Sequence, residues 1–229
     1  MALLDSMSAK EFVRRRNAYS YPAVGLKVNT ESCSWIEFDS TSKMDMYHAL
    51  LLVSEEELKA VWGYLSTVFW GHFSGQDGRI RAARACAKVR MAVGSLHSLG
   101  VGNDEAAALI RMATKFVQAD RYSRASQVLS ELPQLGTAFA SKVCAFLAPS
   151  RCGVVDRNIA SKYPEFGFGV DEKGFVKRTA ANFRLYDSYC AELQETAAAL
   201  NSRGPDFRWS DRDGTLRTWR AVDVERAIF

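Results

Sequence analysis

The chain lacks a C-x-x-C motif, a long apolar run, an internal repeat and any low-complexity stretch. Its five cysteines (Cys33, Cys86, Cys144, Cys152 and Cys190) are odd in number and scattered. That pattern suggests neither a zinc site nor a disulfide framework, so reduced thiols in a cytoplasm are the expectation. No segment approaches the roughly 20 apolar residues of a membrane span, which argues against a membrane partner. The opening segment, MALLDSMSAKEFVRRRN, sets charges of both signs around a short apolar patch and does not read as a secretory signal. Acidic residues are also missing over one stretch. None lies between Asp77 and Asp104, where Arg79, Arg81, Arg84, Lys88 and Arg90 sit.

What is present is an ordinary globular composition, 48% hydrophobic and 24% charged over 229 residues. That is enough to bury a core without covalent staples, as one domain or two small lobes sharing a cleft. The net charge of +4 says little about partners, but its placement says more. Arg81, Arg84 and Lys88 are spaced i, i+3, i+7 and share one helix face. Such a stripe suits phosphate binding with counterion release, and it suits a solvated helix face as well.

Helical signals dominate from Ser54 onward. Ser54 followed by Glu55, Glu56 and Glu57 reads as a capping box, and Leu58, Val61, Trp62, Leu65, Val68 and Phe69 follow at helical spacing. Breakers at 71–78 and 100–103 set off a second helix between them and a third opening at Asp104. Further helices are expected over 121–131, over 137–147 with Pro149 as the stop, from Arg157, and over 179–201. Residues 1–53 are mixed, with 32–38 either strand or merely extended. Residues 164–178 read as loop, and 222–229 as a final amphipathic turn. The expected fold is mainly α.

Chemistry concentrates in residues 132–160, LPQLGTAFASKVCAFLAPSRCGVVDRNIA. Gly136 would allow a tight turn and bring a phosphate close to backbone N–H groups where a helix opens at Thr137. Leu132 and Leu135 would anchor that turn. An ordinary helix–loop–helix connection carries the same residues. Asp156 is the only acid between Glu131 and Glu165, and it follows the apolar pair Val154-Val155. A carboxylate fixed in this way can stabilise positive charge that develops on a substrate, and can orient a nucleophile. It can also cap the helix that starts at Arg157. Lys142, set among Phe139, Val143 and Phe146, suits a nucleophilic amine that forms a Schiff base. A snorkelling or phosphate-binding lysine is the alternative.

These residues resemble the helix-hairpin-helix (HhH-GPD) DNA glycosylase superfamily, and most closely its 8-oxoguanine branches without an iron–sulfur cluster. The family hairpin runs approximately L-P-G-V-G against Leu132-Pro133-Gln134-Leu135-Gly136 here. Its loop ends apolar-apolar-Asp, matching Val154-Val155-Asp156 after Gly153. Gln134 departs from the family glycine, which predicts a less close phosphate approach at that amide. Most lysine-using relatives carry the nucleophile where this chain has Ala138. Lys142 lies one helical turn farther along, close to the same face, and its separation from the aspartate is shorter by that turn. An archaeal oxoguanine branch is similar in placing its lysine farther along this helix.

The resemblance is specific over 120–163 and implies two helical lobes around a cleft. Residues 54–163 would form the core, with the hairpin at 132–136 and a catalytic loop at 148–156. Residues 1–53 and 164–229 would complete the second lobe. Lys142 and Asp156 are implied as catalytic residues. DNA contacts would come from Gln134, Leu135, Gly136, Ala138 and Asn158, joined by Arg81, Arg84 and Lys88. Candidates for a base pocket are Phe139, Phe146, Trp209, Trp219 and Phe229, although aromatics at helical spacing also pack in cores. Only Cys190 follows Cys152, so no iron–sulfur cluster, metal or other cofactor is expected. The implied partner is double-stranded DNA carrying a modified base, an oxidised purine such as 8-oxoguanine first, bound by a monomer. Three alternatives stay open: excision of a hypermodified base from phage DNA as antiviral defence, a water-using glycosylase without lyase activity, and a non-catalytic DNA-binding module.

Overall fold

The computed structural model describes residues 3, 7–28, 33–74 and 78–229, with the side chains of 78 and 79 left out. The mainly α expectation holds among them. Two helices stand in the stretch whose periodicity is weak, each started by a serine cap. Ser8 accepts the N–H of Glu11 to open α1 (Ala9–Asn17), and Ser40 accepts that of Lys43 to open α2 (Thr41–Leu52). Between them β1 (Val24–Leu26) and β2 (Trp35–Glu37) pair antiparallel, with Gly25 opposite Ile36.

The next helix, α3 (Glu57–His72), starts later than a Ser54 capping box requires. Ser54 Oγ accepts the N–H of Glu56, two residues on, so it closes a local turn and Glu56 becomes the N-cap. Then follow α4 (Gly78–Leu99), α5 (Asn103–Gln118), α6 (Tyr122–Leu129), α7 (Thr137–Leu147), α8 (Arg157–Lys162) and α9 (Ala180–Ser202). A short antiparallel pair, β3 (Trp209–Ser210) with β4 (Leu216–Arg217), leads into α10 (Ala221–Ile228). The centre of the core is α3, whose Tyr64, Val68, Phe69 and Trp70 are buried against α2, α4, α5 and α7.

The chain's end corrects the reading of an amphipathic turn. Every residue of α10 is buried, Asp223, Glu225 and Arg226 included. Buried charge is tolerated only when paired, and most of this charge is. Arg226 Nη1 donates to Asp45 Oδ2 of α2 at 2.9 Å, and Arg16 Nη2 of α1 donates to Asp223 Oδ1 at 3.0 Å. Arg220 joins both carboxylates, at 2.8 Å to Asp45 and 2.7 Å to Asp223. The network fixes α10 against α1 and α2.

The cysteines correct a second expectation. Cys33 and Cys86 form a disulfide that ties the end of the β1–β2 connection to α4. Cys144, Cys152 and Cys190 are free and buried. Scattered spacing hid the pair because proximity here is set by packing across 53 residues, and the thiols no longer argue for a cytoplasmic location. Among the described residues, no helix is long and apolar enough to cross a membrane.

Candidate active site

The turn at 132–136 joins α6 to α7, with Leu132 and Leu135 buried. Tyr64 Oη on α3 donates to the Pro133 carbonyl at 2.7 Å and holds the turn from beneath. The left-handed residue is Gln134, at φ 63°, whereas Gly136 has φ −61° in extended geometry. This reverses the expected role of Gly136 in the turn, and a non-glycine residue at that φ costs about 1–2 kcal/mol. A Cβ at Gly136 would meet nothing within 4 Å, and α7 has no side-chain cap. The Phe139 N–H turns back to the Gly136 carbonyl at 2.9 Å, which leaves those of Thr137 and Ala138 to face an anion.

From the end of α7 the chain doubles back alongside it. Ser141 on α7 accepts the Val155 N–H at 3.0 Å. Tyr186 and Tyr189 on α9 donate to the carbonyls of Gly153 (2.9 Å) and Val154 (3.0 Å). These bonds fix the backbone leading into Asp156, which caps α8. Its Oδ1 accepts the N–H groups of Asn158 (2.8 Å) and Ile159 (3.2 Å), a cap worth about 1 kcal/mol. Its Oδ2 lies 4.0 Å from Lys142 Nζ. Capping and facing the lysine are thus divided between the two oxygens of one carboxylate.

Lys142 is only 7% exposed, and its amine stands 5.0 Å from the centre of the Phe139 ring. Gly71 makes room for both side chains. A Cβ there would lie 2.4 Å from Phe139 and 3.1 Å from Lys142 Cδ. His72 stacks on Phe139, with 4.6 Å between ring centres. Burial, and then the nearby cations Lys88, Lys142 and Arg84, hold its pKa down to about 4. His72 is therefore neutral at physiological pH.

Lys142, Asp156, Asn158, Gly71 and Ser74 line two cavities at once. One, of about 380 Å³, runs toward the hairpin past Phe139, Ala138 and Gly136. The other, of about 160 Å³, is walled by Tyr19, Tyr21, Trp70 and Phe229, with Val154 and Glu225. A cavity of about 150 Å³ admits benzene, so this one accepts a planar ring. Tyr21 meets Trp70 and Phe229 edge-on, at 5.2 and 6.3 Å. Tyr19, Tyr21, Ser74 and Phe229 also border a third cavity of about 460 Å³, which Arg14, Arg15, Arg81 and Lys162 line.

Of the aromatics singled out for a base pocket, Phe229 lines the ring-sized cavity and Phe139 the hairpin groove. Phe146, Trp209 and Trp219 are core residues, which corrects their assignment. Phe146 is stacked on His48 at 4.1 Å, Trp209 lies under the Arg16 guanidinium at 3.6 Å, and Trp219 packs edge-on against Phe12. Sequence reasoning missed Tyr19, Tyr21 and Glu225. Alternation in Tyr19-Ser20-Tyr21 and three charges inside an apolar C-terminal octet were the available signals.

The basic face of α4 borders the same region. Arg84 donates to Ser74 Oγ (2.8 Å) and to the Ser74 and His72 carbonyls, bracing the turn after α3. Arg81 stands over the Phe73 ring at 5.5 Å. Lys88 is close enough to His72 to bear on its titration. Arg79 has its side chain outside the described residues.

A family profile described as "Putative 8-oxoguanine DNA glycosylase OGG-like protein" matches residues 47–229. No curated protein and no solved structure matches the chain. The matched span includes the hairpin, Lys142, Asp156 and all of α10, and leaves Tyr19 and Tyr21 outside. With most of its length in that match, the chain belongs to the OGG-like DNA glycosylase family.

Proposed function

We propose that the protein is a helix-hairpin-helix glycosylase that flips an oxidised purine, 8-oxoguanine foremost, out of double-stranded DNA and excises it through Lys142. The supporting observation is the 4.0 Å approach of Lys142 Nζ to Asp156 Oδ2 where the hairpin groove joins the aromatic pocket. Phosphates rest on the α7 N-terminus beside Gln134, Leu135, Gly136 and Ala138, with Asn158 flanking the flipped nucleotide. C1′ comes to lie between the amine and the carboxylate. Lys142, unprotonated, attacks C1′, and the C1′–N bond breaks with its electron pair passing to the base, which takes up a proton. The sugar ring opens to an imine, and loss of a C2′ proton expels the 3′ phosphate. Asp156 stabilises the positive charge on the sugar throughout. Residues 54–163 form the core of this unit, 1–53 and 164–229 close the cleft, and it works as a monomer. Single-turnover incubation with a duplex carrying 8-oxoguanine opposite cytosine tests the reading. Release of the base and a borohydride-stable adduct are expected, and neither appearing would overturn it.

The third cavity favours one variant of this reading. A substituent on a hypermodified base would find about 460 Å³ and several cations beyond Tyr21 and Phe229. Faster release of a sugar-bearing base than of 8-oxoguanine would make foreign DNA the substrate.

For the DNA interface, neutralising Arg81, Arg84 and Lys88 together is expected to weaken duplex binding across sequences and to lower the salt slope by about 1–3. Lys88→Gln alone separates charge from the bracing role of Arg84. Unchanged affinity and slope in the triple variant would make this a solvated face.

A further inference from the structure

The ring-sized pocket holds a carboxyl group that the excision chemistry leaves unused. Among the described residues lining it, Glu225 and Asp156 are the acids, and Glu225 is the deeper, 3% exposed against 20% for the Asp156 side chain. Its neighbours on α10, Asp223 and Arg226, are committed to ion pairs with α1 and α2. Glu225 lies near enough to the backbone N–H of Val154 to feel it, and among the described residues it enters no ion pair. The seat is built for it at Gly153, where a Cβ would lie 2.9 Å from Glu225 Cβ and 2.3 Å from Leu193. A carboxyl group has lone pairs to spare after one N–H, and a buried polar group with few partners favours any ligand that supplies more.

We propose that Glu225 determines which base the pocket accepts, by hydrogen-bonding the polar edge of the flipped purine. The proposal rests on the glycosylase reading above. Burial pushes the Glu225 carboxyl up to about 8, with Asp156 acting in the same sense and Arg226, Lys142 and the Val154 N–H opposing. Tyr19, from the segment after α1, and Tyr189 of α9 also face it, their phenols pushed up by burial and so neutral. At neutral pH Glu225 is therefore protonated, with one O–H donor beside one acceptor oxygen. That pair matches a base edge carrying a carbonyl next to an N–H, which 8-oxoguanine presents on both of its rings. A carboxylate would offer acceptors alone and repel the carbonyl.

The test compares wild type, Glu225→Gln and Glu225→Leu in single-turnover release of 8-oxoguanine from a duplex. Borohydride trapping on an abasic duplex, which has no base to recognise, runs in parallel. Glutamine retains a donor and an acceptor, so release within several-fold of wild type is expected at neutral pH. Leucine is expected to lose about 10²-fold or more in release and to trap abasic DNA within a few-fold of wild type. The ratio of wild type to Glu225→Gln should fall as pH rises through about 8, because the raised carboxyl then loses the proton it donates. A ratio independent of pH overturns the proposal whatever the leucine variant does. Undiminished release by Glu225→Leu also overturns it. Wild-type protein that traps abasic DNA but releases no 8-oxoguanine overturns the substrate assignment and this proposal with it. Failure of both wild-type reactions overturns the glycosylase reading itself.

Discussion

Lys142→Gln is expected to yield no covalent adduct when borohydride is added to the protein on a damaged duplex. The wild-type imine is reduced to a stable amine, and glutamine has no amine to form one. Glutamine keeps most of the bulk between Phe139 and Gly71, where the lysine stem is packed, so the fold and much of the DNA affinity should survive. Base release is expected to fall on the order of 10³-fold, as removal of a nucleophile does. Undiminished release without trapping would assign the attack to water. Persistent trapping would point to another amine, the N-terminus or Lys162, whose Nζ donates to the Phe229 carbonyl at the far side of the pocket.

Asp156→Asn should lower base release by about 10²-fold or more while leaving duplex binding unchanged or slightly tighter. Asparagine is as good an N-cap as aspartate, so the bonds from Asn158 and Ile159 to Oδ1 can persist and α8 stays in place. What disappears is the negative charge facing Lys142 at 4.0 Å, and preorganised charge at a developing cation is worth about that factor. The substitution therefore separates the two jobs of this side chain. Full activity in Asp156→Asn would leave only the cap and refute the shared mechanism. Measuring release and trapping on one duplex with both variants distinguishes a lysine nucleophile from water activated by the carboxylate.

The helices from α3 to α9 are legible in the chain because caps, breakers and apolar stripes are local signals. Errors at their ends are small, as with Ser54, whose hydroxyl had two neighbouring N–H groups to choose between. The first third was opaque for a different reason. In α1 and α2 the buried faces carry Arg16, Asp45 and His48, so an apolar stripe never appears. Arg16 and Asp45 are buried against partners in α10, and His48 against Ser66 and Phe146, all distant in sequence.

The turn shows the same division. Leu132 and Leu135 announce an anchored hairpin, yet which residue takes the left-handed conformation was not legible, since glycine and glutamine exchanged the roles their propensities suggest. Aromatics carry no local mark of core or pocket. Phe146, Trp209 and Trp219 became core, while Tyr19, Tyr21 and Phe229 were left bordering empty space. The helical frame, the turn at 132–136, and the isolated carboxylate and lysine on either side of one loop can all be read along the chain. Tertiary structure alone decided that their charged ends meet, that Cys33 finds Cys86 and that Glu225 faces the same pocket. Each of these follows from contacts between segments distant in the chain, and it is burial by such contacts that holds Glu225 protonated.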